Sequence, residues 1–202
     1  MDLKDILKSP QLGEEVVVQG WIRNHRKQKE FGFIDFSDGT AQEHLQIVYD
    51  NELDNFLDIQ KMLVGCAIEV AGTLVESSGN QAVELKASKV TLLGDCPADY
   101  PIQPKRHTRE FLREQAYLRP RTNLFQAVFR VRSVAAYAIH KYFQERNYVY
   151  FHAPLITASD CEGAGEMFQV TTLDLERVKG KPDYSKDFFG KMANLTVSGQ
   201  LE

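Results

Sequence analysis

The chain has 202 residues, enough for one large domain or two small ones, with the ordinary hydrophobic and charged content of a globular protein. Its formal net charge of −4 excludes a global positive field directed at nucleic acid. The three cysteines have no CxxC spacing and the five histidines are scattered, which predicts free thiols and no metal site. The first residues lack a secretory signal and no apolar run approaches the ~20 residues of a membrane span, so we expect a cytoplasmic protein without a membrane segment.

The first hundred residues show the alternating pattern of β-strands after a short polar lead-in at residues 1–13. The strand candidates are residues 16–23, 31–36, 43–49, 66–75 and 82–93. Between the third and fourth candidates, residues 51–63 have helical spacing, with Asn51 as the N-cap. Three strands, a helix and two more strands is the order of a five-stranded OB-fold barrel, although these elements could also be arranged otherwise.

OB-folds commonly bind single-stranded nucleic acid on the face of their second and third strands, with a cationic rim and platforms on which bases stack. The basic residues beside the first strand are Arg23, His25, Arg26, Lys27 and Lys29. Phe33 on the second strand is the candidate for stacking, and Gln46 on the third is the candidate for reading a base edge. From the residues alone, Phe33 could instead belong to the core and Gln46 could be an ordinary exposed side chain.

A boundary between domains follows the last strand candidate. Pro97, Pro101 and Pro104 interrupt regular structure there, and the basic residues of the following stretch, 105–132, are opposed only by Glu110 and Glu114. So basic a stretch favours contact with a phosphate backbone, but it could also be a solvated hinge.

Residues 124–143 predict a long helix whose apolar surface is wider than one stripe. The first members of its main apolar face are Leu124, Val128, Val131 and Ala135. Such a helix is buried on more than one side, either by the same chain or by a second subunit. Residues 148–153 then predict a strand, and Pro154 must lie at a strand end or edge because it cannot donate to a sheet ladder.

A long helix, a strand of this composition and a terminal proline together resemble motif 1 of the class II aminoacyl-tRNA synthetases, which builds the dimer interface of that family. The resemblance implies a homodimer whose interface includes Leu124, Val128, Val131, Ala135 and Pro154. Residues 157–168, TASDCEGAGEMF, more specifically resemble a loop of the asparaginyl-tRNA synthetases at the edge of the amino-acid pocket. Residues 195–201, LTVSGQL, are similar to the next landmark of these enzymes, a strand lining that pocket. Aspartyl and lysyl enzymes carry different sequences there.

The resemblance extends to the start of the chain. The aspartyl, asparaginyl and lysyl subgroup carries an OB-fold that binds the tRNA anticodon, and residues 20–23 (GWIR) and 32–35 (GFID) look like its first two strands. In that pattern Phe33 stacks on an anticodon base, Gln46 reads one and Arg26 supports the anticodon loop. The implied fold class is α+β, with an OB-fold anticodon-binding domain followed by the start of an antiparallel catalytic sheet. The implied divisions are residues 1–98 for the barrel, 99–121 for a basic linker and 122–202 for an incomplete catalytic domain.

The activity implied by the resemblance is attachment of L-asparagine to tRNA(Asn), driven by ATP with Mg²⁺ through an asparaginyl-adenylate. Glu162 would hold the substrate ammonium group, and Ser198 and Gln200 would line the pocket. Each of these residues could instead be an ordinary exposed or strand residue.

The family's motifs 2 and 3, whose arginines hold ATP, do not appear in the sequence. We therefore expect no catalytic residue within this chain, most of the ATP site outside it, and no adenylate formation by the chain alone. A fragmentary sequence of a full enzyme is the simplest explanation. A non-catalytic tRNA-binding or dimerising module and a related aspartyl-type synthetase are the alternatives.

Overall fold

The computed structural model describes residues 1–79, 81–159 and 167–200, and the chain divides into two compact units, residues 1–137 and 138–202. The α-helices are α1 Leu3–Lys8, α2 Phe56–Ile59, α3 Arg109–Glu114 and α4 Asn123–Gln144, and short 3-10 helices span Arg119–Arg121 and Tyr184–Lys186. The strands of the first unit are β1 Glu15–Lys27, β2 Phe31–Ser37, β3 Leu45–Asp50, β4 Ala67–Glu76 and β5 Val83–Gly94. Those of the second unit are β6 Ile156–Thr157, β7 Gln169–Val170 and β8 Ala193–Leu195.

The five strands of the first unit form a closed barrel in the order β1-β2-β3-β5-β4. The long strand β1 pairs antiparallel with both β2 and β4, and a short parallel pairing of β3 with β5 closes the barrel. The sequence alternation explains the inner face, because residues such as Val16, Val18 and Ile22 all point inward and are buried. The predicted order of strands is confirmed.

The polar lead-in predicted for residues 1–13 is wrong, because it contains helix α1. Leu3 and Ile6, one helical turn apart, are both buried in the barrel core. The turn between β2 and β3 satisfies the first amide groups of this helix: the Leu3 amide donates to Asp38 Oδ2 at 2.6 Å and the Lys4 amide to Thr40 Oγ1 at 3.0 Å.

The long helix predicted for residues 51–63 is also wrong, since only the four-residue helix α2 forms. Asn51 is not its N-cap, because it lies five residues before the helix, at the end of the β2–β3 pairing, where its backbone amide donates to Glu30 O at 2.9 Å. Asn55 precedes the helix, but its side chain donates to Val90 O at 2.8 Å instead of capping. Two apolar residues, Phe56 and Ile59, still fold into the core.

The basic segment after β5 packs against the barrel, so it is not a free solvated hinge. Tyr100, Ile102 and Leu112 are buried in the same core as the strands. The Thr108 side chain caps α3 by accepting from the Phe111 amide at 3.2 Å. Basic side chains of the segment, such as Lys105 and Arg106, remain exposed.

The second unit contains a small antiparallel sheet with β8 between β6 and β7. The strand predicted for residues 148–153 is wrong, because this segment pairs with no strand in the described part of the chain and its large side chains are exposed. Hydrogen bonds from the Thr171 hydroxyl, and from the amide and hydroxyl of Thr172, hold the pKa of Asp187 well below its usual range. Asp187 is therefore an ionised group that joins the 3-10 helix Tyr184–Lys186, which it directly follows, to the residues after β7.

Candidate nucleic-acid interface

The outer face of β2 and β3 carries the residues predicted to meet nucleic acid. Alternation along β2 sends Ile34 and Phe36 into the core, where both are 0% exposed, and leaves Phe33 and Asp35 on the outer face. The possibility that Phe33 is a core residue is therefore wrong. Its ring forms an edge contact with Phe31, with 5.4 Å between the ring centroids.

Strand register brings Arg26, Phe33 and Gln46 together. Arg26 on β1 lies directly opposite Phe33 on β2, and Gln46 on β3 lies opposite Asp35, two residues further along β2. The Arg26 guanidinium lies over the Phe33 ring, 5.0 Å from its centroid, and donates to Gln46 Oε1 at 2.6 Å. The three predicted residues thus form one contiguous group, which we call the β2–β3 cluster.

Glu84 on β5 extends the β2–β3 cluster and was missed from the sequence. Gln46 Nε2 donates to Glu84 Oε2 at 2.9 Å, and the Ser77 hydroxyl donates to the same oxygen at 3.2 Å. Arg26 on one side and Glu84 on the other fix which way the Gln46 amide faces, because a guanidinium only donates and an ionised carboxylate only accepts. The one available signal was that Glu84 alternates with inward Val83 and Leu85.

The β2–β3 cluster has the chemistry of a base-binding platform. An aromatic ring on an outer strand face offers stacking that every base accepts. The Gln46 amide has two donor hydrogens and two acceptor lone pairs, and its contacts with Arg26 and Glu84 use one donor and one lone pair. A donor and an acceptor therefore remain for the edge of a base beside the Phe33 ring.

His25 was predicted for the cationic rim, and the structure corrects this. A bulge between Ile22 and Asn24 changes the facing of β1, and His25 turns inward. Its Nδ1 lies 3.1 Å from Met62 O and must carry the proton, because a carbonyl oxygen only accepts, so Nε2 accepts from the Tyr49 hydroxyl at 2.7 Å. Burial lowers the pKa of His25 and raises the pKa of Tyr49 to about 12, so both groups are neutral near pH 7.

The turn between β2 and β3 is tied to the start of helix α4. Gln126 Nε2 donates to Ala41 O at 2.7 Å, and the Arg130 guanidinium donates to Gly39 O. In the opposite direction, Gln42 Nε2 donates to Asn123 O at 3.1 Å. These contacts fix the strands that carry the β2–β3 cluster to the first turns of the long helix.

The residues predicted for a dimer interface all lie on exposed surface. Leu124 and Val128 are each 46% exposed and Val131 is 69% exposed, although all three are apolar. Ala135 further along α4 and Pro154 in the second unit are exposed as well. Helix α4 contains no fully buried residue. Phe125 packs against the barrel core, but the face that carries Leu124, Val128 and Val131 is exposed.

Of the three residues predicted for an amino-acid pocket, the structure describes Ser198 and Gln200. Glu162 lies outside the described residues. Strand β8 ends at Leu195, so Ser198 and Gln200 follow it in a turn and do not lie on a strand. The reason is local, since the Thr196 hydroxyl donates to Ser198 O at 2.5 Å and bends the chain.

Neither thiol chemistry nor metal binding is supported by the described residues. Cys66 and Cys96 are free, as predicted, and both are buried, which raises the pKa of both thiols. The third cysteine, Cys161, lies outside the described residues. Among the described residues, no group of three His, Cys, Asp or Glu side chains is placed to hold a metal ion. No helix in residues 1–79, 81–159 or 167–200 has the length and apolar character of a membrane span.

Comparison with known families matches two successive parts of the chain to two different families. Residues 16–93 match the OB-fold nucleic acid binding domain, and residues 108–201 match the tRNA synthetases class II (D, K and N). Over its second half the chain is similar to the class II tRNA synthetases of this group. The predicted α+β architecture, an OB-fold barrel followed by the start of a class II catalytic domain, is confirmed.

Within that group the chain corresponds to the amino-terminal portion of the asparagine–tRNA ligases, which confirms the resemblance in the loop and strand sequences. It is 57% identical to the asparagine–tRNA ligase of Acholeplasma laidlawii and 54% identical to that of Clostridium tetani, in each case over 100% of this chain and 45% of the relative. The chain therefore spans less than half the length of the curated relatives it matches.

Solved structures share the fold at low sequence identity. The asparaginyl-tRNA synthetase of Pyrococcus horikoshii, complexed with asparaginyl-adenylate, superposes with a TM-score of 0.79 at 18% identity, over 100% of this chain and 43% of that one. A putative aspartyl-tRNA synthetase of Leishmania major gives a TM-score of 0.75 at 16% identity, over 98% of this chain and 38% of that one. At this identity the likeness shows the fold alone, and it does not separate asparagine from aspartate.

Proposed function

We propose that this chain recognises the anticodon of tRNA(Asn) through the β2–β3 cluster, as part of an enzyme that attaches L-asparagine to that tRNA. The observation that carries the proposal is the convergence of Arg26, Phe33 and Gln46 on one outer face of the barrel. Phe33 stacks on one base and Gln46 pairs with a base edge, with its amide oriented by Glu84. Arg26 supplies positive charge to the anticodon loop.

In the whole enzyme, asparagine's carboxylate attacks the α-phosphate of ATP, which forms asparaginyl-adenylate and releases pyrophosphate. The aminoacyl group then passes to the terminal ribose hydroxyl of the tRNA, and AMP is released. This chemistry depends on positioning and charge neutralisation. We propose that Glu162 holds the substrate ammonium and that Ser198 and Gln200 line the pocket. Motifs 2 and 3, whose arginines hold ATP in this family, do not appear in the sequence, so we assign the ATP–Mg²⁺ site mostly to the rest of the enzyme, outside this chain.

The organisation we propose has the anticodon-binding domain at residues 1–98, a basic linker at 99–121 and the start of the catalytic domain at 122–202. The packing of Tyr100, Ile102 and Leu112 makes this linker part of the surface around the barrel. We also propose a homodimer formed through α4 and Pro154, because an apolar helix face with this exposure suits a symmetric partner. A cytoplasmic location completes the proposal, in keeping with the synthetases it resembles.

The proposal is tested with anticodon stem-loop RNAs titrated against this chain and followed by fluorescence anisotropy. We expect the tRNA(Asn) stem-loop to bind about tenfold more tightly than stem-loops with one anticodon base replaced, since a misplaced base loses on the order of 1.4 kcal/mol. Affinity should fall steeply as salt is raised. Equal affinity for every anticodon would identify a general RNA-binding module. A preference for the aspartate anticodon would favour an aspartyl-type enzyme.

A second prediction concerns catalysis by the 202-residue chain alone. We expect no asparagine-dependent exchange of pyrophosphate into ATP, because motifs 2 and 3, which hold ATP in this family, are not among its residues. The assay is run beside a full-length asparagine–tRNA ligase, which must show exchange under the same conditions. Exchange above the background measured without asparagine would show that the chain has its own adenylate-forming site.

A further inference from the structure

A cavity of about 590 Å³ opens between the outer barrel surface and the segment that follows β5. Its walls come from β1 and β2, from the basic residues after Gln103, and from the start of α4. Three of its lining side chains are permanent cations, Arg23, Lys105 and Arg106, and the one carboxylate in the lining is Asp35. The anticodon assignment makes no use of this cavity, which we call the Arg23 cavity.

Arg23 has no direct ionic partner among the described residues. Its guanidinium makes no hydrogen bond or ion pair with any of them, and Asp35 is itself held by His44 Nδ1 at 3.1 Å. The side chain is partly buried, and this burial lowers the pKa of Arg23, with the positive charge of Arg121 acting in the same direction and Tyr100 and Asp35 opposing it. A guanidinium taken out of water without a partner is costly, and an anion in the cavity would offset that cost.

The position of the cavity relates it to the β2–β3 cluster. Asp35 lines the cavity and is also the cross-strand partner of Gln46. On β2 it lies two residues after Phe33, a separation of ~7 Å along a strand. One nucleotide covers that distance, so an RNA strand with a base on Phe33 places a neighbouring phosphodiester at the mouth of the cavity.

We propose that the Arg23 cavity is a phosphate-binding site, and that its ligand is a backbone phosphodiester of the RNA whose base lies on Phe33. A guanidinium fork binds two phosphate oxygens at once, and Lys105 and Arg106 add point charges at the exposed rim. The class of ligand follows from the cavity alone. Naming RNA as its source rests on the proposed function.

The test compares Arg23→Gln and the rim variant Lys105→Gln with the matched control Lys89→Gln, an exposed lysine on β5 that does not line the cavity. Stem-loop binding is measured over a series of salt concentrations, and inorganic pyrophosphate is titrated calorimetrically into each variant. We expect Arg23→Gln to weaken RNA binding about tenfold, by the same factor for matched and mismatched anticodons. The slope of log K against log salt should fall in magnitude by about 1, while Lys89→Gln keeps the wild-type slope.

Lys105→Gln should shift affinity and slope in the same direction by a smaller factor. Because that side chain is exposed, it reports on the cavity even where Arg23→Gln alters folding. Unchanged RNA affinity together with lost pyrophosphate binding would assign the site to a free phosphate compound. If the variants bind both the stem-loop and pyrophosphate as tightly as wild type does, the assignment of the Arg23 cavity as a phosphate-binding site is wrong. If the wild-type chain binds no RNA, the anticodon proposal fails, and the pyrophosphate titration still decides the cavity.

Discussion

Replacing Phe33 by alanine is expected to weaken binding of the tRNA(Asn) anticodon stem-loop by between about fivefold and about a hundredfold. Removal of one base–aromatic stack costs on the order of 1–3 kcal/mol, and the Phe33 ring is the platform of the β2–β3 cluster. The ring lies on the outer face, so its loss leaves the buried residues on either side of it, Gly32 and Ile34, in place. Anisotropy measures the affinity, and thermal unfolding checks that the barrel is intact.

Phe33→Tyr is the matched control, because it keeps the aromatic face and should retain most of the affinity. The Gln46→Ala variant distinguishes stacking of a base on Phe33 from recognition of a base edge by Gln46. It should reduce the difference in affinity between matched and mismatched anticodons, whereas Phe33→Ala weakens binding to all stem-loops by a similar factor. If both Phe33→Ala and Gln46→Ala bind the stem-loop as wild type does, the anticodon assignment fails.

The barrel could be read from the sequence because its signal is local. A strand with one buried face alternates apolar and polar residues, and all five strands follow that rule closely enough to be placed. Helix α1 was not predicted because a six-residue segment with two buried side chains, Leu3 and Ile6, is too short to be distinguished by its pattern from an irregular polar segment. Its stability comes from the core and from the Asp38 and Thr40 side chains, which are distant in sequence.

The site was only partly predictable. Arg26, Phe33 and Gln46 came from resemblance to a family, and strand register then placed them in contact. Glu84 lies 38 residues after Gln46 and reaches it only because β3 and β5 close the barrel. His25 was misassigned because the first strand was predicted to end at Arg23, whereas β1 continues to Lys27 and a bulge between Ile22 and Asn24 turns His25 inward. Contacts made by barrel closure, and changes in side-chain direction caused by a single bulge, leave no periodic pattern in the sequence.

Helix α4 has an exposed apolar face that was predicted to be buried. Its apolar residues predicted a helix buried on more than one side, yet Val131 is 69% exposed. Its first turns are fixed to the β2–β3 turn by Gln126 and Arg130, so the helix is held in place while its apolar face stays uncovered. A second copy of this chain supplies an equally apolar helix, and a two-fold axis would bury both faces with one set of contacts.

Val131→Glu is therefore expected to weaken self-association of the chain by about a thousandfold or more. A buried valine contributes on the order of 2 kcal/mol, and a symmetric interface contains the substituted residue twice, so roughly 4 kcal/mol is lost before the cost of burying two like charges. Sedimentation equilibrium over a range of concentrations measures the dissociation constant. Leu57→Glu is the matched control, since Leu57 on α2 is an exposed apolar residue away from α4. A wild-type chain that is monomeric throughout, or a Val131→Glu variant that dimerises as tightly as wild type, would remove α4 as the interface formed by this chain.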